Sequence, residues 1–146
     1  MQAGLVYIAG SASRIVVTSA LTPIVQSTVS LITSLRSSGL QTPTLQDIIS
    51  AYDIECTLQT IEATCSTLSD GHQEPLKTAC ANVVAGVEQI HRLLTRIADI
   101  TAAHNAGYVS RWRQLNIESE IVQLKGYMDV LNKRFHLLCD IRSVVH

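Results

Sequence analysis

Residues 74–104 read EPLKTACANVVAGVEQIHRLLTRIADITAAH, and in them Leu76, Cys80, Val83, Val87, Ile90, Leu94 and Ile97 recur with an unbroken 4-3 spacing. Apolar positions at that interval line one face of an α-helix, because helical side chains repeat every 3.6 residues. Pro75 suits a first helical turn, where its missing N–H leaves nothing unpaired. Asn105-Ala106-Gly107 supplies a stop near His104. Few stretches anywhere in the chain alternate with period two.

Upstream of this helix, Thr44 can cap a second one, with Asp47 favouring its positive N-terminal end. Its stripe is Ile54, Leu58, Ile61, Cys65 and Leu68, and Asp70-Gly71 ends it. Downstream, a helix from about Ser110 carries Ile117, Ile121, Leu124, Met128, Leu131, Phe135 and Leu138 at heptad spacing. Val122, Val130, Leu137 and Ile141 widen that apolar face. The first piece has the stripe Leu21, Val25, Thr28, Ile32 and Leu35. Thr22-Pro23 interrupts it, so two helices or one kinked helix are expected there. Gly39 ends it, and Gln41-Thr42-Pro43 connects onward. Strict 4-3 stripes with short connectors predict an all-α fold, an antiparallel four-helix bundle. Its helices are expected at about 3–37, 44–69, 75–104 and 110–144, in one domain spanning 1–146. The breadth of the stripes disfavours an extended coiled coil.

The 146 residues suit one compact domain. Charged residues make up only 16%, below the roughly 25% usual for soluble domains, while 47% are hydrophobic, leaving apolar material for an interface besides a core. The formal net charge of −1 gives no sign of nucleic-acid binding. Charge is nonetheless segregated. From Thr44 to Asp70 stand Asp47, Asp53, Glu55, Glu62 and Asp70 with no Lys or Arg, whereas Arg111, Arg113, Lys125, Lys133, Arg134 and Arg142 crowd the last third. Opposite-sign faces of this kind help helices, or copies of a domain, choose each other. Cys56, Cys65, Cys80 and Cys139 form no CxxC pair and lie on or beside apolar stripes, which points to a reduced, cytoplasmic chain. The N-terminus has no basic region suggesting a secretory signal, and Gln2 stands where myristoylation needs glycine.

Signatures of catalysis are scarce. His72, His91, His104, His136 and His146 include no i,i+4 pair and no HExxH. Glu88-Gln89-Ile90-His91 is one Glu-x-x-His where a di-iron bundle needs two. No GxGxxG, Walker loop or GxSxG occurs. Neither enzyme activity, nor a metal, a cofactor or a small-molecule substrate is expected. Gly86 and Gly126 sit inside helices, where close helix approach would account for them.

Two features point toward membranes. No charge occurs from Ile15 to Leu35, a length close to the ~20 residues that span a bilayer. Thr18, Ser19, Thr22, Gln26, Ser27, Thr28, Ser30, Thr33 and Ser34 make it a poor spanning helix. It suits instead a helix soluble when packed and compatible with lipid when released. Arg111-Trp112-Arg113 opens the last helix with the only Trp. A Trp folded over the bundle end explains it; contact with anionic headgroups, which favours both residue types, is the functional alternative.

Arg111-Trp112-Arg113, Ile117-Glu118, Ile121, Leu124, Leu131-Asn132-Lys133 and Phe135-His136-Leu137-Leu138 together resemble the final helix of HeLo-like domains, the N-terminal domains of many fungal STAND (NLR-like) receptors. The uncharged first segment, with Gly4, Ala9, Gly10 and Ala12, is similar to that family's N-terminal segment. The resemblance implies a bundle related to that of the mixed-lineage kinase-like pseudokinase and to plant resistance-protein coiled-coil domains. It further implies a cytoplasmic domain that forms homo-oligomers on activation, moves to the plasma membrane, binds anionic lipid and permeabilises the bilayer, causing cell death. The inserting role would fall on Leu5, Val6, Ile8, Ile15, Val16, Val17, Leu21, Ile24 and Val25, and headgroup contact on Arg111, Trp112 and Arg113. Pro23 departs from the continuous first helix such domains lead one to expect. A soluble adaptor bundle that binds only protein partners is the alternative function.

Overall fold

The computed structural model describes residues 11–37, 43–68, 74–107 and 116–145. The chain is all-helical, and these residues form five helices and no strand: α1 (Ser11–Ser37), α2 (Pro43–Ala51), α3 (Ile54–Ser66), α4 (Glu74–Ala106) and α5 (Glu118–Val145). The stripes read from spacing are the core. Leu21, Val25, Thr28, Ile32 and Leu35 of α1 are buried, as are Ile54, Leu58, Ile61 and Cys65 of α3, with Leu68 just beyond it, and all seven stripe residues of α4. On α5 the same holds for Ile121, Leu124, Met128, Leu131 and Leu138, with Ile117 buried just before the helix and Phe135 half-buried. α4 packs on α1 and most extensively on α5, while α3 packs on α1 and α2 on α5.

Three sequence expectations need correction, and one left open is resolved. The segment 44–69 is two helices, broken at Tyr52-Asp53. Asp53 adopts the left-handed conformation, φ 47° and ψ 54°, and its carbonyl accepts the Thr57 N–H at 2.9 Å to start α3. The break turns the apolar face: Leu45, Ile48 and Ile49 of α2 are buried on the way to α5, whereas α3 turns toward α1. Second, of the two alternatives at Pro23 the structure has one helix, α1, running through it. The proline is exposed, so water can serve the carbonyl that loses its helical partner.

Third, the last helix begins at Glu118 rather than near Ser110. The Asn116 side-chain oxygen accepts the Glu118 N–H at 3.3 Å, the Ile117 carbonyl accepts that of Ile121 at 2.9 Å, and Glu118 and Glu120 favour the positive end of the helix. Fourth, Val122, Val130 and Leu137 do not widen the core face. They are exposed, along with Val144. The glycines also part company. A Cβ on Gly86 would stand 3.1 Å from Leu131 Cδ1, so this glycine does permit close approach, whereas one on Gly126 would meet nothing within 4 Å.

Candidate functional site: the first helix and its seat

α1 offers the longest uncharged surface of the fold. Its only charges are Arg14 and Arg36, near its two ends. Of the residues to which insertion is assigned, Leu21 and Val25 are buried at 1% exposure and Ile24 is half-buried beside them. These three face the core, on the side that holds α1 in place. The side chains of Ile15, Val16 and Val17 lie outside the described residues, as do Leu5, Val6 and Ile8 entirely. Arg111, Trp112 and Arg113 lie outside them too.

Outward, α1 presents Pro23, Gln26, Ser27, Ser30, Thr33, Ser34 and Ser37. Several of its hydroxyls are satisfied within the helix. Thr28 Oγ1 donates to the Ile24 carbonyl at 2.7 Å, Thr33 Oγ1 to Val29 at 3.0 Å, and Ser37 Oγ to Thr33 at 3.1 Å. A hydroxyl bonded to its own helix is cheaper to take out of water than a free one. Even so, no helix among the described residues is long and apolar enough to cross a membrane.

Among the described residues, polar ties to neighbouring helices hold α1 at Ser27 and Arg36. Ser27 Oγ meets His91 Nε2 of α4 at 3.0 Å, and Arg36 forms an ion pair with Glu55 of α3. Both are surface contacts, each worth about 1 kcal/mol or less. The buried stripe does most of the holding, since burying a single Leu or Ile side chain stabilises by about 1.5–3 kcal/mol. A shallow groove between α1 and α3, lined by Val25, Gln26, Val29, Ser30, Gln59 and Glu62, runs along this seam.

Elsewhere, polar side chains act as fasteners. His91 of the Glu-x-x-His faces Ser27, while Glu88 pairs with Arg92 at 3.9 Å. No group of three or more potential metal ligands occurs among the described residues. Arg134 Nη1 of α5 donates to the Asn82 carbonyl of α4 at 3.0 Å, and Tyr52 O–H donates to Asp129 Oδ1 at 2.9 Å. Cys80 Sγ donates to Cys65 Sγ at 3.8 Å across the α3–α4 seam. Sharing a proton within this thiol pair, together with burial, holds the Cys65 thiol well above its ordinary range, so it stays protonated and unreactive. Cys56, by contrast, is exposed.

Sequence reasoning missed the outer face of α5, where Val122, Val130, Leu137 and Val144 are 63%, 40%, 53% and 84% exposed. Their low interruption by charge was visible, but a second apolar face on an already apolar helix reads as a wide core stripe. Compared with known proteins, the chain matches no family model, no curated protein and no solved structure.

Proposed function

We propose that this chain is a HeLo-like bundle that associates with copies of itself and permeabilises membrane through its N-terminal helix, without catalysis. The observation that carries this reading is α1, a 27-residue helix uncharged from Ile15 to Leu35, several of whose hydroxyls are already bonded to its own backbone. The domain takes the form of an antiparallel four-helix bundle in which α2 and α3 together occupy one helical position. In support, Asn82 meets Arg134 while Gln89 and Arg96 border the same groove as Gln123 and Tyr127, so α4 and α5 run in opposite directions.

Released from its seat, α1 lies at the bilayer interface with Leu21, Ile24 and Val25 in the acyl region and its Ser/Thr face toward water. Because its composition falls short of a lone spanning helix, penetration requires several copies to shelter one another's polar faces. Anionic lipid is the surface, reached from the cytoplasm, with Arg111, Trp112 and Arg113 as the headgroup contacts. A soluble adaptor that binds protein alone is the second reading, favoured by the exposed apolar face of α5.

Tethering α1 to α4 separates the two. Ser27→Cys and His91→Cys, in a background with Cys56→Ser and Cys139→Ser, allow a short bis-maleimide to bridge the two helices. The uncrosslinked protein should release dye from vesicles containing phosphatidylserine, and the crosslinked protein should not. Equal leakage from both would sink the release of α1, and neither leakage nor vesicle binding from the folded, untethered protein would leave the adaptor.

A further inference from the structure

All four large hydrophobic residues exposed among the described residues lie on α5, at Val122, Val130, Leu137 and Val144. They fall on one line. Together with Gly126, Lys133 and Ile141 they follow a 4-4-3-4-4-3 spacing, about 3.67 residues per turn, which keeps a stripe nearly parallel to the helix axis. The stripe lies opposite the buried Leu124, Met128 and Leu131, so it points away from the bundle, except at Ile141, which is partly buried against the core. It is interrupted by a single charge, at Lys133.

We infer that this face pairs with the same face of a second copy, antiparallel, about a two-fold axis near Lys133. The distribution of charge selects this occupant and this direction. Lys125, Asp129, His136 and Asp140 border one flank of the stripe, and all are exposed. An isologous antiparallel pair places the same flank of both helices on one side. In the register that sets Val122 against Val144 and Val130 against Leu137, Lys125 faces Asp140 of the second copy and Asp129 faces its His136. The two-fold repeats each pairing, giving four complementary contacts around an apolar centre. A parallel pair would set this flank against the opposite flank of the second copy, which carries Gln123, Tyr127 and Arg134, so the Lys125–Asp140 and Asp129–His136 pairings would not form.

Asp129 has room for this role. Its Oδ1 accepts the Tyr52 hydroxyl, and a carboxylate has acceptor capacity to spare. Gly126 leaves open space on the stripe, where the facing helix can come close. Lys133 is the one discordant residue, since the axis brings two ammonium groups together. A single helix face about 33 Å long buries less than the ~1,200 Å² of a stable specific interface, so the dimer is weak, with Kd about micromolar or above.

This inference rests on the self-association in the proposed function but needs neither lipid nor release of α1. Sedimentation equilibrium of the whole chain without lipid, over a concentration series, therefore tests it apart from membrane activity. A monomer–dimer equilibrium is expected. Asp140→Lys and Lys125→Asp should each weaken it roughly tenfold, because each creates two like-charge contacts. The two together should restore it to within about threefold. Leu137→Lys should abolish it, and Lys133→Leu should tighten it. Circular dichroism verifies the fold of each variant, whose substituted side chains all lie at the surface. A strict monomer at millimolar concentration overturns the proposal, as does a double swap no better than the single changes, or a dimer indifferent to Leu137→Lys. Sedimentation with phosphatidylserine vesicles adds the remaining arm: a monomer whose vesicle binding rises with Asp140→Lys would make this a lipid-facing surface and overturn the pairing.

Discussion

Gly86 and Gly126 are chemically identical and differ only in what surrounds them. Each costs its helix about 1 kcal/mol relative to alanine. Around Gly126 there is room, so Gly126→Ala should raise the stability of the dilute monomer by about 0.5–1 kcal/mol. At Gly86 the new methyl would press on Leu131, a fully buried side chain with little room to yield, so Gly86→Ala should gain less or lose stability. Urea denaturation of the two variants gives the order, and an equal gain would contradict the close packing at Gly86. Tyr52 makes a different residue-scale point. Its hydrogen bond to Asp129, then burial, then the charge of Asp129 raise the phenol above its ordinary 10.0. The folded chain thus holds the phenolic proton more tightly than the unfolded one. The resulting stabilisation is complete below pH 10 and is lost as pH rises through the folded value. Tyr52→Phe should cost about 0.5–1 kcal/mol at pH 7, the low end for a partly exposed bond, and should flatten the fall in Tm above pH 10. An identical alkaline slope in both proteins would count against the bond.

Among the elements, the break between α2 and α3 has the sharpest local cause. Asp53 holds φ 47°, a conformation that costs a residue with a Cβ about 1 kcal/mol or more unless its side chain compensates. Asp and Asn tolerate it best after glycine, and the negative charge of Asp53 also suits the start of α3. Asp53→Ala should therefore destabilise the protein by about 1 kcal/mol more than Asp53→Gly. Thermal melts of both settle it, and equal losses would mean that the left-handed turn relaxes at no cost. A trace of this break was legible in the sequence. The buried positions step from Ile49 to Ile54, five residues, where a continuous helical stripe steps by three or four. With no Gly or Pro at the step, composition offered no second sign. Pro23 is the reverse case, where the local breaker was visible but α1 continues, because packing along the whole stripe outweighs one missing hydrogen bond.

For the molecule as a whole, the ring of contacts explains why the break matters. α2 reaches α5 and α3 reaches α1, so a bent segment closes the ring formed by α1, α4 and α5. Among the described residues, α1 is then fixed by its buried stripe and by surface ties at Ser27 and Arg36, and under the proposed function it is the element released. Among the described residues, α5 stands apart as the helix that is apolar on both faces and covers only one of them. The sequence by itself determined the all-helical class, the stripes and nearly every core residue, because burial on a helix demands a periodicity that spacing alone reveals. It also determined that α1 carries no charge across its middle. Only the tertiary structure decided that residues 52–53 turn and that Val122, Val130, Leu137 and Val144 face outward. Those facts depend on which neighbour lies against each face, and periodicity along one helix carries no record of its neighbours.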